Sequence, residues 1–189
     1  MADFYGTDDD DVIDASQLPE DFNKAGDKIY PGKGNDEIIN IDGHEVVSSE
    51  GNDTYSGQNI KLAFFFDPDA VTVNLLDGTA KDGYGGTDTI TGKVFEVYLS
   101  PYGGTFTGTE NYEKVIIWGS NNIITTGDGA TDRVQIYNSL SSDYNIQKIG
   151  EDIQIAHKTE PIENIINGSA LIAVSYTHLR AHETPEHRG

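Results

Sequence analysis

The segment Gly-Lys-Gly-Asn-Asp-Glu-Ile at 32–38 constrains the fold of this chain more than its composition does. Glycine adopts positive φ angles without steric cost, so Gly32 and Gly34 allow a tight loop whose carbonyl oxygens turn inward. Asp36 adds a hard anionic oxygen of the kind that calcium prefers. Ile38 begins a short apolar run. The segment therefore predicts a metal-binding loop that leads into a strand.

Acidic residues recur around this segment at an almost constant spacing. Nine residues separate Asp27 from Asp36 and Asp36 from Glu45, and eight more lead to Asp53; each acid has Ile, Val or Tyr two positions later. A fixed short period is typical of repeat architectures in which each repeat adds one layer. Less regular copies occur at 6–13, 83–90 and 127–134, and their acids are Asp11, Asp88 and Asp132.

Together these residues resemble the hemolysin-type (RTX) calcium-binding repeats of bacterial secreted proteins. The resemblance implies a parallel β-roll in which two nonapeptides make one turn and calcium lies between loops about 18 residues apart. It implies that Asp27 and Glu45 line one side and that Asp36 and Asp53 line the other. The implied ligands are Asp36 and Asp53 with the carbonyls of Gly32, Gly34 and Gly51, followed by Asp11, Asp27, Glu45, Asp88 and Asp132.

Departures from the repeat pattern reduce the number of expected sites. Pro31 stands in place of the first loop glycine, Glu45 is longer than aspartate, and Asp27 lacks the loop glycines. We therefore expect one to three occupied calcium sites. The segment 71–92 resembles the linkers between repeat blocks, 100–108 resembles a metal-free rung with Gly104 in the acidic position, and 143–165 resembles a capping β segment.

The expected fold is all-β, a parallel β-roll or β-helix-like solenoid with an antiparallel capping segment. Short apolar runs rich in β-branched residues predict strands at 61–66, 71–75, 114–118, 123–124, 134–137 and 153–155, and 16–24 is expected to hold a helical turn. The expected domains are an N-terminal cap with one degenerate repeat at 1–25, the RTX-like solenoid at 26–136 and a β cap at 137–173.

The last residues, 174–189, differ in character from the rest of the chain. Residues 175–184, Ser-Tyr-Thr-His-Leu-Arg-Ala-His-Glu-Thr, are similar to a translated transposase-type sequencing adapter, and the tail holds three of the five histidines. We expect this tail to be adapter-derived, the chain to be a fragment and its natural C-terminus to be missing, so the tail is excluded from fold reasoning.

Composition limits the classes of partner. The formal net charge of −20 argues against nucleic acid and anionic membranes, and it opposes compaction unless cations neutralise it. The absence of cysteine excludes disulfides, so calcium would serve as the staple of an extracellular fold. No apolar run is long enough for a membrane-spanning helix, and the N-terminus lacks the features of a Sec signal. The resemblance implies a secreted or cell-surface protein exported by a type I system.

The leading functional expectation is a non-catalytic structural module that folds when it binds calcium outside the cell. One alternative is a surface adhesin or glycan-binding module that uses Tyr84, Tyr98 and Tyr102. Another is the non-catalytic part of a secreted protease, lipase or epimerase, with other solenoid segments of a longer parent protein as partners. Neither the His44-Glu45 pair nor the histidines of the tail have the spacing of a helical zinc site. For each aspartate, an Asx-turn to its own backbone is the competing structural interpretation.

Overall fold

A computed structural model describes residues 3–19, 22, 26–118, 121–127, 132–137, 144–149, 152–158, 163–167 and 170–175. Within these residues almost all regular structure is β, with one short 3-10 helix at Ala15–Gln17 and no α-helix. This confirms the predicted all-β class. The 3-10 helix overlaps the start of the helical turn expected at 16–24, and residues 20, 21 and 23–25 lie outside the described part. No described helix is long and apolar enough to cross a membrane.

Short strands make up the described fold. In chain order they are β1 (Phe4–Tyr5), β2 (Val12–Asp14), β3 (Lys28–Tyr30), β4 (Glu37–Asp42), β5 (Glu45–Val47), β6 (Thr54–Gln58), β7 (Ile60–Ala63), β8 (Val71–Asn74), β9 (Thr79–Lys81), β10 (Thr87–Ile90), β11 (Val94–Tyr98), β12 (Gly104–Thr107), β13 (Lys114–Ile117), β14 (Asn122–Thr125), β15 (Asp132–Tyr137), β16 (Tyr144–Ile149), β17 (Asp152–His157), β18 (Glu163–Asn167) and β19 (Ala170–Ser175).

The strands form two open sheets. The first sheet has the order β1-β3-β5-β7-β11-β13-β15-β19, and the second has the order β16-β17-β18-β14-β12-β8-β9-β10-β6-β4-β2. Over the first seven strands the chain alternates between the sheets, and each strand pairs in parallel with the strand two places later. Because β2, β4 and β6 run parallel as neighbours in the second sheet, the loops that lead into them lie beside one another at one edge of that sheet.

A pair of antiparallel hairpins interrupts this alternation. Strand β8 pairs antiparallel with β9, and β9 pairs antiparallel with β10, whereas β10 runs parallel to β6. The second sheet thus holds three strands where the first sheet passes directly from β7 to β11. The reversal follows Asp77-Gly78, where Gly78 has a φ of 66° and the amide nitrogen of Asp77 donates to the Asn74 side chain. This interruption lies within the predicted solenoid region, 26–136, at the segment 71–92 that resembles the linkers between repeat blocks.

The C-terminal strands only partly match the expected cap. Strands β16, β17 and β18 pair antiparallel, as predicted for 137–173. Strand β18, however, also pairs in parallel with β14, and β19 pairs in parallel with β15, so both sheets continue through this region. Strand β19 ends at Ser175, and the remaining adapter-like residues, 176–189, lie outside the described part.

Rows of apolar side chains fill the space between the sheets. In the first sheet the register aligns fully buried residues across successive strands, and these are Ile29, Val46, Leu62, Val97, Val115 and Val134. In the second sheet Ile13, Ile38, Tyr55 and Ile90 form the corresponding row. A one-residue slip would turn each row toward solvent, so these rows fix the register of the loops that precede the strands.

Charged residues of mostly alternating sign line the other face of the first sheet. One residue before each core position, the aligned residues are Lys28, Glu45, Lys61, Glu96 and Lys114, which alternate in sign, followed by Arg133, which is positive like Lys114. The Nζ atom of Lys28 lies 2.8 Å from Glu45 Oε1, and that of Lys114 lies 2.9 Å from Glu96 Oε2. Opposite charges facing each other across neighbouring strands stabilise this pairing.

Candidate functional site: a stack of buried aspartates

Four aspartates meet at one edge of the second sheet. Asp11, Asp36 and Asp53 directly precede the neighbouring strands β2, β4 and β6, and Asp88 is the second residue of the adjoining strand β10. The strand register aligns the residue after Asp11 with that after Asp36, and the same holds for each later pair. We call these four residues the aspartate stack. The loop copies at 6–13 and 83–90, which looked isolated in sequence, therefore join the two copies at 32–38 and 51–55.

Each carboxylate of the stack reaches back to the backbone of the preceding aspartate. The Asp11 amide donates to Asp36 Oδ1 at 2.8 Å, the Asp36 amide to Asp53 Oδ1 at 2.9 Å, and the Asp53 amide to Asp88 Oδ1 at 2.9 Å. These bonds connect neighbouring loops and are not Asx-turns within one loop. At the first position Asp11 differs, because its Oδ2 accepts the local amide of Thr7 at 2.6 Å.

A second column of polar side chains runs beside the stack in the opposite direction. The Asn35 amide donates to Asp10 Oδ1 at 2.7 Å, the Asn52 amide to Asn35 Oδ1 at 3.0 Å, and the Thr87 amide to Asn52 Oδ1 at 2.8 Å. Asn35 and Asn52 are neutral, so their column satisfies backbone donors without accumulating charge. Backbone pairing alone therefore does not require aspartate in the stack.

Three members of the stack are buried, Asp11 is partly buried, and some of the carboxylate oxygens have no partner. Asp36, Asp53 and Asp88 have 2%, 1% and 0% of their surface exposed. Asp36 Oδ2 and Asp88 Oδ2 are buried and accept no hydrogen bond, whereas Asp53 Oδ2 accepts from Ser49 Oγ and Tyr55 Oη. Buried polar atoms in native proteins normally have a partner, so these oxygens indicate a group that completes the site.

Burial and mutual repulsion disfavour the charged form of these acids. Burial, together with the nearby Asp53, Asp11 and Asp10 carboxylates, raises the pKa of Asp36 to about 6. Burial also raises the pKa of Asp53 and raises that of Asp88 to about 8, and the carboxylate of Asp53 adds to the shift at Asp88. The stack therefore favours uptake of positive charge, either as protons or as a cation.

Glycines allow the loops to stack closely. Gly34, Gly51 and Gly86 each lie two residues before an aspartate of the stack. A Cβ at Gly51 would overlap the carbonyl oxygen of Gly34, and a Cβ at Gly86 would overlap the carbonyl oxygen of Gly51. Gly32, at a φ of 108°, likewise faces the carbonyl oxygen of Thr7. The carbonyls of Gly34 and Gly51 thus face the next loop, close to the stack.

Asp27 and Glu45, which the resemblance assigns to one side, lie at different positions in the strand register. Glu45 aligns with Lys28 and pairs with its Nζ in the row of alternating charge. Asp27 is buried and directly precedes Lys28, so the register places Asp27 opposite His44. The structure therefore does not bring these two carboxylates together as it does those of Asp36 and Asp53.

Asp132 pairs with an acid that the sequence analysis did not single out. Its Oδ1 accepts the amide of Glu113 at 2.9 Å, and Glu113 in turn accepts from the amide and hydroxyl of Thr109. Both acids are buried, and burial raises the pKa of each. This arrangement is separate from the aspartate stack because Glu113 directly precedes β13 and Asp132 begins β15, and both strands belong to the first sheet. Residues 128–131 of the loop before Asp132 lie outside the described part.

Two further buried acids, Asp67 and Asp82, flank the stack and were also missed. Asp82 Oδ1 accepts the amides of Tyr84, Gly85 and Gly86 at 2.9, 2.7 and 2.7 Å. Asp67 Oδ2 accepts the Gly83 amide at 2.7 Å. Neither acid occupies the aspartate position of a G-x-G-x-D pattern. The available signal was the acid directly before the glycine-rich 83–86 segment and the Asp-Pro-Asp turn at 67–69.

The tyrosines named for glycan recognition do not form one ring cluster among the described contacts. Tyr102 is 62% exposed and Tyr84 is 41% exposed, whereas the Tyr98 ring packs edge-on against Phe65 at 6.0 Å. Trp118 is 37% exposed, and its ring centroid lies 4.4 Å from that of Tyr137. Ring contacts join Phe65 with Phe66, Tyr98 and Trp118, and Trp118 with Tyr137, and no described ring contact includes Tyr84 or Tyr102.

Within the described residues, no three histidine, aspartate or glutamate side chains are already arranged as a metal-ligand set. The carbonyls of the glycine loops are the additional oxygen donors at this edge. No protein-family model matches the chain. No curated protein matches it either.

Proposed function

We propose that this chain is a calcium-binding structural module of a secreted, RTX-like bacterial protein, and that it folds when calcium binds. In this proposal the two sheets are the walls of a parallel β-roll or β-helix-like solenoid. Asp36 and Asp53 supply the principal carboxylates, and the carbonyls of Gly32, Gly34 and Gly51 supply further oxygens. Asp11 and Asp88 extend the site along the stack, and Asp132 belongs to a separate second-tier position.

The observation that carries the proposal is the burial of stacked carboxylates with unpartnered oxygens. Asp36 and Asp88 each commit Oδ1 to a backbone amide and keep a buried Oδ2 without a partner. Leaving such charges uncompensated in the protein interior is costly. Calcium takes six to eight oxygen ligands in flexible geometry, so carboxylates, carbonyls and water can serve it together.

The solenoid interpretation is supported by the strand order. Strands β1 to β7 alternate between the sheets, and the connections before β2, β4 and β6 lie on one side. This is the arrangement in which loops from alternate repeats can share ions. The hairpins β8 to β10 are then an insertion that supplies the loop before Asp88 from within the same sheet.

Calcium would couple folding to location. Extracellular calcium modules bind with dissociation constants of about 10⁻⁴–10⁻³ M, so such a site stays empty in the cytosol and fills outside the cell. Because ligands converge only in the folded chain, binding free energy becomes folding free energy. The high negative charge supports the same coupling, since it opposes compaction until cations bind.

A calcium titration tests the proposal. Chelated full-length chain is followed by far-ultraviolet circular dichroism and by titration calorimetry, with magnesium as the control ion. We expect a cooperative increase in β signal at sub-millimolar to millimolar calcium, accompanied by heat, and a much weaker response to magnesium. A chain that is folded in chelator and gives no heat with calcium would refute the proposal.

The paired variants Asp36→Asn and Glu37→Gln sharpen this test. Glu37 follows Asp36, but its side chain is exposed, so it controls for the loss of one negative charge in the same loop. We expect Asp36→Asn to weaken calcium binding and Glu37→Gln to preserve it. Equal effects would mean that calcium responds only to the overall charge.

A further inference from the structure

The turn before β8 and the turn between β9 and β10 bring two additional acids beside the last residue of the aspartate stack. Asp67 lies in the first turn and Asp82 precedes the second. The Asp67 carboxylate accepts the amide of Gly83, which joins the two turns. The negative charges of Asp53, Asp82 and Asp67 all help to raise the pKa of Asp88. We call Asp67, Asp82 and Asp88 the hairpin cluster.

Each residue of the hairpin cluster has one oxygen committed and the other without a partner. The committed oxygens are Asp67 Oδ2 on the Gly83 amide, Asp82 Oδ1 on three amides of its own turn, and Asp88 Oδ1 on the Asp53 amide. Asp67 Oδ1, Asp82 Oδ2 and Asp88 Oδ2 are buried and accept no hydrogen bond, in side chains of residues only 1%, 5% and 0% exposed. Backbone bonds therefore orient three carboxylates whose remaining oxygens have no role in the turns.

A backbone oxygen lies near the unpartnered oxygen of Asp82. The position that a Cβ of Gly86 would take overlaps the Gly51 carbonyl oxygen and lies 2.6 Å from Asp82 Oδ2. Both oxygens thus crowd one side of the loop, where a side chain would not fit. This geometry links the hairpin turn to the loop that precedes Asp53.

Electrostatics at the cluster call for a positive charge. The charged groups that act on Asp88 are all carboxylates, and together with burial they raise its pKa to about 8. Burial, with the Asp82 carboxylate, raises the pKa of Asp67 to about 7. Buried charges in proteins are paired or coordinate a metal, or else they are neutralised by protons.

We propose that a divalent cation of the calcium class binds at the hairpin cluster through Asp67 Oδ1, Asp82 Oδ2, Asp88 Oδ2 and the carbonyl oxygen of Gly51. This site extends beyond the G-x-G-x-D pattern: Asp88 and the Gly51 carbonyl belong to repeat copies, whereas Asp67 and Asp82 are not the acids of any repeat. The hairpin site depends on the proposed function only in taking calcium as the bound ion. The unpartnered oxygens must rotate toward the ion, since the described side chains are not already arranged as a complete ligand set.

The cluster also gives the hairpins a structural purpose. An ion bound there would link the turn before β8, the turn after β9 and the loop before β6. Those three segments are joined in the structure by the Asp67–Gly83 and Ser48–Asp67 hydrogen bonds. A bound ion would therefore hold the inserted strands β8 to β10 against the regular part of the second sheet.

Terbium luminescence and calcium stoichiometry test this site in the full-length chain. Terbium substitutes for calcium at oxygen sites, and Tyr84, two residues from Asp82, is placed to sensitise it. The test variant is the double substitution Asp67→Asn and Asp82→Asn, in which the amide oxygens still accept the backbone bonds. The matched control is Asp69→Asn, an exposed acid of the same turn as Asp67. Thermal unfolding in millimolar calcium checks that each variant folds.

We expect the double variant to lose one calcium equivalent and to bind terbium at least about tenfold more weakly, because two charged ligands are removed. Asp69→Asn should match the wild type, and Asp36→Asn should retain the tyrosine-sensitised signal.

A folded double variant that keeps every calcium equivalent would overturn the inference. If Asp36→Asn loses calcium in the same experiment, the proposed function still stands. If Asp36→Asn has no effect while the double variant loses its equivalent, the hairpin site stands alone. A wild type that takes up protons but no calcium or terbium would overturn both.

Discussion

The backbone amide of Asp53 donates a 2.9 Å hydrogen bond to Oδ1 of Asp88, although 35 residues separate them in the chain. Strand β10 reaches this position through a hairpin within its own sheet, not by crossing from the first sheet. The stack therefore continues beyond the tandem repeats. The bond makes Asp88 a residue at which backbone pairing and ion binding can be separated by mutation.

Replacing Asp88 by asparagine and by alanine should have opposite effects in chelator, measured with enough stabilising osmolyte to fold the calcium-free chain. Asparagine keeps the acceptor for the Asp53 amide and removes a buried charge, so Asp88→Asn should be at least as stable as the wild type without calcium. Alanine leaves that buried amide unpaired, which costs about 1–3 kcal/mol. Denaturant unfolding of both variants measures the difference, and equal stabilities would show that the Asp53–Asp88 bond contributes nothing.

A methyl group at Gly51 should disrupt the stacking of the loops. Gly51 and Gly43 both have positive φ, 152° and 74°, so alanine is strained at either position. Only at Gly51 would the added Cβ overlap a neighbouring carbonyl, because nothing lies within 4 Å of the corresponding position at Gly43. We expect Gly43→Ala to cost about 1–3 kcal/mol from backbone strain. Gly51→Ala should cost more and should also weaken calcium binding, and a smaller loss at Gly51 in thermal unfolding would contradict the close packing described.

The half-buried ion pair on the first sheet should contribute more than an exposed one. Glu96 and Lys114 have side-chain exposures of 8% and 21%, whereas those of Lys33 and Glu50 are 60% and 59%. Double-mutant cycles with Glu96→Gln and Lys114→Met, and with Glu50→Gln and Lys33→Met, measure both couplings. The exposed pair should give about 0.2–1 kcal/mol. The coupling between Glu96 and Lys114 should exceed it, and a value at or below that of the exposed pair would contradict the strand register.

Stability in chelator should fall as the pH rises from about 5 to 8. Burial raises the pKa of Asp36 to about 6, that of Asp67 to about 7 and that of Asp88 to about 8. An unfolded aspartate titrates near 3.9, so in this window the folded chain binds more protons, and each such group lowers stability by up to about 1.4 kcal/mol per pH unit.

Calcium should weaken or reverse this pH dependence, because the bound ion stabilises the ionised carboxylates. Thermal unfolding at pH 5, 6, 7 and 8, with chelator and with millimolar calcium, measures both slopes. Stability that rises with pH in chelator would show that the buried carboxylates are not held in unfavourable surroundings.

The sequence was sufficient to predict the class of the fold and the central pair of the stack. Asp36 and Asp53 differ by about two repeat lengths, and alternation between two sheets places both before strands of the second sheet. The repeated Asn-Asp dipeptides at 35–36 and 52–53 also become the two parallel columns. These features are local, so the nine-residue pattern was informative.

The remaining parts of the site depend on long-range structure that local patterns do not encode. Asp88 joins the stack only because two hairpins return the chain to strand β6. Asp67 reaches the cluster through the same insertion. The position of Glu45 depends on its partner Lys28 in the neighbouring strand, which outweighs its likeness to a repeat acid. The alternating charges of the first sheet could have indicated this role, but only after the strands had been aligned.

Amide hydrogen exchange at Asp11, Asp36 and Asp53 tests most directly whether calcium maintains the aspartate stack. These amides donate to carboxylates of the next loop, so their protection reports the stack itself. With millimolar calcium we expect slow exchange at all three, and with chelator we expect exchange at least about a hundredfold faster, because the loops open locally at little cost. Equal protection in calcium and in chelator would contradict the claim that the buried carboxylates form a calcium site.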